Sequence, residues 1–255
     1  MEEQGYVKMQ VNDGLGIIEF FHPAHNALPG KLLSQLAQAV KEADVSSDIR
    51  VVLLKSGGNR TFCAGASFDE LQAIRTPEEG KAFFMGFARV IQACRQCRKI
   101  IIGRVQGKAV GGGVGLAAAT DYCLATQYAA IRLSELALGI GPFVVGPAIK
   151  RKIGLSAFTA LCLQPHQWQS AEWAAHHGLY QNVYPSTEAL DEAIDQLAEQ
   201  LLQYNPDALA HIKEMLWYGT DSWNTLLEKR AEISGALILS DFSRHAIQRI
   251  KTKTK

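Results

Sequence analysis

The chain has 255 residues, 47% of them apolar, enough to bury a large core in one domain or in a domain with a helical extension. Its formal charge of +1 supplies no field of either sign, which argues against a nucleic-acid groove or an anionic membrane surface as partner. No stretch reaches the ~20 apolar residues of a membrane span, and the opening Met-Glu-Glu-Gln has neither a basic nor an apolar leader segment, so a cytoplasmic location is the expectation.

In chain order, Val7, Met9 and Val11 alternate on one face, Asn12-Asp13-Gly14 makes a turn, and residues 16–20 resume the apolar pattern, which predicts a β-hairpin. Leu32, Leu36, Ala39, Val40 and Ala43 recur with helical period, and Val51-Val52-Leu53-Leu54 follows as a run of buried-strand type. The same order returns with a helix over 78–98, a strand over 100–105, a small-residue helix over 112–120 and a strand over 122–125. Helices alternating with short apolar strands predict an α/β domain with largely parallel strands.

Beyond about residue 145 the strand pattern stops. Apolar periodicity over 147–163, 170–177, 188–203, 206–217 and 221–250 predicts a mostly helical remainder. No linker-like, repetitive or low-complexity segment intervenes, so these helices are expected to pack on the core or on a partner subunit. The tail lysines Lys251, Lys253 and Lys255 read as a solvated end.

Cys63, Cys94, Cys97, Cys123 and Cys162 are odd in number and scattered, a poor disulfide framework that fits a reducing compartment. Cys94 and Cys97 share a helical stripe with Phe83, Phe87 and Val90, which favours core packing over a metal site. The seven histidines show no ligand or relay spacing, and adjacent His176 and His177 fall at a polar helix end. Trp168, Trp173, Trp217 and Trp223 read as packing or subunit contacts. No metal is expected, and no cofactor.

Three segments carry candidate chemistry. In Phe62-Cys63-Ala64-Gly65-Ala66-Ser67-Phe68-Asp69-Glu70, Ser67 and Glu70 have capping-box spacing, which places a helix start at Ser67 and puts the Ala66 N–H in a turn rather than a ladder. A well-capped loop is the plain reading; a loop whose small residues let a ligand approach the main chain is the functional one. Gly111-Gly112-Gly113-Val114-Gly115 lies between a buried strand and a helix, and each of these glycines costs ~0.5–1 kcal/mol relative to alanine, so something should approach the backbone closely. A helix beginning there aims free N–H groups at an anion or a developing oxyanion; tight helix packing is the alternative. The run is neither a P-loop nor a dinucleotide fingerprint. Third, Glu135 is a lone carboxylate in the apolar stretch 131–142, either proton-transferring with a raised pKa or simply a solvated or paired loop acid.

Together these pieces resemble the crotonase, or enoyl-CoA hydratase/isomerase, family over nearly the whole chain. The resemblance rests on Asn26-Ala27-Leu28, Ala64-Gly65-Ala66 before a helix cap, and Gly111-Gly112-Gly113-x-x-Leu116-Ala117 with Asp121. Glu135-Leu-x-Leu-Gly139 and Ser170-Ala171-x-x-Ala174-x-x-x-Gly178-Leu179 complete it. It implies an α/β fold built as a spiral of ββα units over 1–195, with a C-terminal helical trimerisation region over 196–255 and a homotrimer or dimer of trimers. It also implies that the amides of Ala66 and Gly112 hold a thioester enolate, with Glu135 as general acid/base. Ala64, Gly65, Ser67, Gly111, Gly115 and Phe143 are the implied substrate-contacting positions, and CoA enters only as part of the substrate.

Two positions depart from the family's pattern. Ser67 stands where many members carry Asp, an exchange of one good N-cap for another. Gly115 stands where hydratases usually carry a first glutamate. The resemblance therefore implies an acyl-CoA enzyme that hydrates or shifts a double bond with a single acid. Decarboxylation of a β-carboxy acyl thioester, or a non-catalytic acyl-CoA-binding protein, are the alternatives.

Overall fold

The computed structural model describes residues 5–253, with side chains to residue 249, so the reading of Lys251, Lys253 and Lys255 as a solvated tail lies outside the described side chains. The chain opens with a hairpin, β1 (Tyr6–Asn12) and β2 (Leu15–Phe21), closed by Asp13 and Gly14 with φ of 46° and 92°, the two positive values a primed turn requires. There follow β3 (Ala27–Leu28), α1 (Gly30–Val45), β4 (Val51–Ser56), β5 (Thr61–Cys63), β6 (Gly65–Ala66), α2 (Phe68–Ala73) and α3 (Pro77–Gln96). Next come β7 (Ile100–Val105), β8 (Lys108–Val110), α4 (Gly112–Ala119), β9 (Tyr122–Thr126), β10 (Ile131–Arg132) and a 3-10 turn, Glu135–Leu138. The remainder is α5 (Gly146–Leu163), α6 (Ala171–His176), β11 (Asn182–Tyr184), α7 (Thr187–Gln203), α8 (Pro206–Leu216), α9 (Trp223–Leu237) and α10 (Asp241–Lys253).

The main sheet has the order β1-β2-β4-β7-β9-β11, parallel except for the β1–β2 hairpin. Its central strands β4 and β7 are buried almost throughout, which explains why they read as continuous rather than alternating apolar runs. Each of β2, β4, β7 and β9 is followed by a short strand that leaves the main sheet, and then by helix. The short strands assemble separately, as β10-β8-β5 and as the pair β3-β6. The repeat is thus one of topology, a spiral of ββα turns, although no sequence repeat announces it.

Two expectations are corrected. A strand does occur beyond residue 145: β11 adds a parallel edge next to β9, pairing Asn182 with Leu124 and Tyr184 with Thr126. Three residues are too few to show alternation, and only the exposed edge of β9 gives them a place. The stretch 221–250 is two helices, α9 and α10, broken at 238–240, where Ser240 Oγ accepts from Ser243 N–H and starts the second.

The helices after 196 are part of the same core. Trp217, Trp223, Leu227 and Ala231 belong to the main buried cluster, and α9 lies so close to α3 that a Cβ on Gly80 would come 2.6 Å from Gly235 Cα. Lys81 on α3 pairs with Glu228 and Glu232 on α9 at 2.7 and 2.8 Å. α8 is anchored through a buried acid: Asp121 accepts from Ile101 N–H (2.8 Å), Trp217 Nε1 (2.7 Å) and Lys213 Nζ (2.8 Å). Cys94 and Cys97 are buried within the core, and burial pushes the Cys94 thiol up to about 12. Among the described residues no helix is long and apolar enough to cross a membrane.

Candidate active site

The site begins with two chain turns that cross from the main sheet into the small ones. At the first, Asn26, itself at φ 57°, donates from Nδ2 to the carbonyls of Gly57 and Thr61 (2.9 Å each) and accepts from His22 N–H at 2.8 Å. This buried amide ties the segment before β3 to the segment entering β5, and so sets the path of residues 63–66. Ala66 lies in a ladder after all, paired with Leu28. Ser67 N–H donates to Leu28 O at 3.1 Å. Because successive N–H groups along a strand point to opposite edges, the Ala66 N–H points away from β3.

The capping box is only half formed. Ser67 Oγ accepts from Glu70 N–H at 3.4 Å, but the Glu70 carboxylate reaches across to the N–H of Gly30 (2.8 Å), opening α1. The reciprocal box lies at Thr76 and Glu79, at the start of α3.

At the second turn, Gly111 adopts φ 52°, ψ −113°, open only to glycine, and its N–H donates to Arg132 O at 2.9 Å. Gly112 then begins α4, so its N–H has no carbonyl one turn back to bond. A Cβ on Gly112 would strike the Phe87 ring, and one on Gly113 the Cys63 carbonyl. The glycine run therefore exists because α4 starts hard against α3 and β5. The two turns also abut, since a Cβ on Gly65 would sit 3.1 Å from Val110 O and 3.6 Å from Gly112 N.

Glu135 opens the 3-10 turn that follows β10. A Cβ on Gly111 would come 2.9 Å from its Oε1, which places the carboxylate directly against the glycine turn. The residue is half-buried, but its Oε2 is enclosed and has no hydrogen-bond partner. Burial pushes the carboxyl up to about 7, opposed by the backbone amides of Glu135 and Ser134 and by the Arg132 charge.

These features share one cavity of about 630 Å³. Ala64, Gly65, Ala66, Gly111, Gly112, Glu135 and Phe143 all line it; Ser67 and Gly115 do not. Ser67 is occupied as the α2 cap. Gly115 is buried, and a Cβ there would meet Val145 Cγ1 at 2.5 Å and Cβ at 2.7 Å, so the room a larger side chain would need is filled by valine. The rest of the wall is mainly apolar, with Phe83, Phe84 and Phe87 from α3 and residues 140–145. Phe83 and Phe87, which read as pure core from the sequence, thus also face the cavity.

Arg132, Ser134, His166 and Ser234 line the cavity as well and were missed by sequence reasoning. Arg132 and Ser134 lay inside the stretch already singled out around Glu135, so nearness in sequence was the available signal. His166 and Ser234 come from distant elements and gave none. Trp168, read as packing, stacks beneath the Arg132 guanidinium at 4.5 Å. His177, read as solvent-facing, is half-buried against the Trp173 ring, with Nδ1 2.8 Å from Trp173 O. No group of His, Cys, Asp and Glu side chains that could hold a metal occurs among the described residues.

An amide pointing away from the β3 ladder, an amide at the first residue of a helix and one enclosed carboxylate, in a largely apolar cavity, suit a reaction that develops charge on a carbonyl oxygen and moves a proton nearby. The sequence profile of the enoyl-CoA hydratase/isomerase family matches residues 10–250. The chain belongs to this family. Members of the enoyl-CoA hydratase/isomerase family similar to it include the peroxisomal Δ(3,5)-Δ(2,4)-dienoyl-CoA isomerase of Arabidopsis thaliana, 27% identical over 91% of this chain and 88% of that protein. The ethylmalonyl-CoA decarboxylase of Bos taurus is 28% identical over 80% of this chain and 67% of its own. The crystal structure of an enoyl-CoA hydratase from Bacillus halodurans has the same fold, with a TM-score of 0.88 over 96% of this chain and 99% of that one, at 20% identity. The fold is therefore the crotonase fold of the family.

Proposed function

We propose that the protein acts on an enoyl-CoA thioester whose carbonyl oxygen rests on the amides of Ala66 and Gly112, with Glu135 as its single general acid/base. In the reaction this geometry supports best, the Glu135 carboxylate removes a proton from Cα of a 3-enoyl thioester. The electron pair moves onto the thioester oxygen as a dienolate. Glu135 then returns the proton at Cγ, leaving the 2-enoyl thioester. No water or cofactor enters the balance. Loss of one such amide donor typically costs ~2.7–4 kcal/mol in the transition state.

The observation that carries this reading is the enclosed, unpartnered Glu135 Oε2 beside the Gly111–Gly112 turn. A double-bond shift is preferred over hydration because the wall at Gly115 is closed by Val145, leaving Glu135 as the one carboxylate among the described residues that line the cavity. Assembly as a homotrimer or dimer of trimers belongs to the same proposal; exposed Met215, Tyr218 and Phe242 on and after the C-terminal helices leave apolar surface for a partner.

The test is a product assay with 3-enoyl- and 2-enoyl-CoA of matched chain length. Conversion of the 3-enoyl to the 2-enoyl thioester, abolished in Glu135→Gln, is expected. Turnover of the Glu135→Gln variant at the wild-type rate would remove the assigned role.

A further inference from the structure

Four buried side-chain nitrogen or oxygen atoms lack a hydrogen-bond partner among the described residues, and three of them belong to this cavity's wall: Arg132 Nε, Glu135 Oε2 and Ser234 Oγ. Buried polar groups are nearly always satisfied, and leaving one unsatisfied is costly, so three around one cavity mark where a ligand supplies the missing partners. The proton shift accounts for Glu135. It leaves Arg132 and Ser234 without a use.

Arg132 is the more demanding of the two. Burial lowers its pKa, and among the described residues no carboxylate lies within ion-pair distance of the guanidinium; Glu135 acts on it only from farther away. What holds the group is the Trp168 ring, whose centroid lies 4.5 Å from Arg132 Cζ; Lys108 Nζ approaches the same ring at 5.0 Å. Stacking fixes the plane of a guanidinium while leaving its N–H edge free for an oxyanion. The rest of the cavity wall is mainly aromatic and aliphatic, which suits a hydrocarbon chain, and Glu135 is the one carboxylate among the described residues that line it.

We propose that the acyl group of the substrate carries a second, distal carboxylate, and that Arg132 pairs with it, assisted by the Ser234 hydroxyl. The substrate class is thus a dicarboxylic enoyl thioester, an assignment that rests on the proposed chemistry at Ala66, Gly112 and Glu135. Arg132 and Glu135 line the same cavity as the two amides, and the proposal seats the thioester at the amides and the far end of the chain at the guanidinium. The pairing also opposes loss of that carboxylate as carbon dioxide. Decarboxylation removes the negative charge from the carboxyl group, so a fixed cation there stabilises reactant over transition state.

Anionic phosphates of CoA are the other source of the same chemistry, and the experiment separates them. Hex-3-enedioyl-CoA, hex-3-enoyl-CoA and free CoA are titrated calorimetrically into the full chain, its Arg132→Met variant and its Arg132→Lys variant. The wild type is expected to bind the dicarboxylic thioester roughly 10–100-fold more tightly than its monocarboxylic counterpart. Arg132→Met abolishes that preference while leaving CoA affinity unchanged, and Arg132→Lys keeps part of it. Equal affinity of the wild type for the two thioesters overturns the proposal. So does an equal loss for all three ligands in Arg132→Met, which places the guanidinium on the CoA phosphates. Because binding is read directly, a carboxylate preference without turnover refutes the isomerisation and leaves the Arg132 assignment standing. Turnover of both thioesters without preference does the reverse.

Discussion

Asp121 and Glu135 are both acids drawn into the interior, and their surroundings are opposites. The Asp121 side chain is 2% exposed and receives three hydrogen bonds, from a backbone amide of β7, the Trp217 indole and the Lys213 ammonium, itself 2% exposed. Glu135 faces a cavity and, among the described residues, has no ion-pair partner within 4 Å and carries an enclosed oxygen without a hydrogen-bond partner. A satisfied buried acid serves the fold. It fixes its neighbours, and its oxygens are already occupied by them. An unsatisfied one is a standing cost, retained where a bound molecule completes it or where proton transfer needs a pKa near neutrality.

The comparison is broken most sharply at Glu135 itself. Glu135→Gln is expected to lower kcat/KM about 10²–10⁴-fold, the usual contribution of a positioned acid/base. The same substitution should leave the protein more stable at alkaline pH. The folded-state value of about 7 exceeds the ordinary 4.5, so ionisation of Glu135 costs stability above pH 7, and that cost disappears as pH falls below 4.5. At 1.36 kcal/mol per unit, Glu135→Gln should gain up to about 3 kcal/mol at pH 8 and almost nothing at pH 4, read from thermal melts at both. In the wild type, kcat/KM should rise with pH through an inflection near 7, since the ionised form removes the proton.

Asp121→Asn should behave in the opposite sense. It strands the buried Lys213 ammonium, for an expected loss of about 3–5 kcal/mol in denaturant unfolding, while the kcat of the folded fraction stays near wild type. A large fall in kcat with stability intact would erase the distinction between the two acids.

A smaller effect is expected at Gly115. Gly115→Ala forces a Cβ onto Val145 and should cost about 1–3 kcal/mol. The double variant with Val145→Ala should recover part of that loss, and a simple sum of the two single effects would show that the contact is not the cause. The smallest change is Thr76→Ala, which removes the reciprocal cap of α3 and no hydrogen bond of either acid; it should cost about 1 kcal/mol and leave both pH profiles unaltered.

Much of the fold was legible because local physics set it. The Asp13-Gly14 turn, the buried runs 51–54 and 100–105 and the periodic helices follow from dihedral preference and apolar spacing within a few residues. The strand β11 and the break at 238–240 were not legible, because a three-residue edge and a serine cap take their meaning from elements far away in sequence. Within the site, the sequence by itself singled out the Ala64-Gly65-Ala66 segment, though not its place in a ladder with β3, the glycine turn at 111–113 and the carboxylate Glu135, whose residue types are rare enough in such settings to stand out. Tertiary structure decided the rest: that Val145 closes the wall at Gly115, that Ser67 is taken up as the cap of α2 and does not itself line the cavity, and that Arg132 Nε and Ser234 Oγ, in two residues of its wall, lack a hydrogen-bond partner among the described residues. Whether a polar group is satisfied depends on which atoms the fold brings within about 3.5 Å of it. Spacing along the chain does not encode that when the partners lie a hundred residues apart.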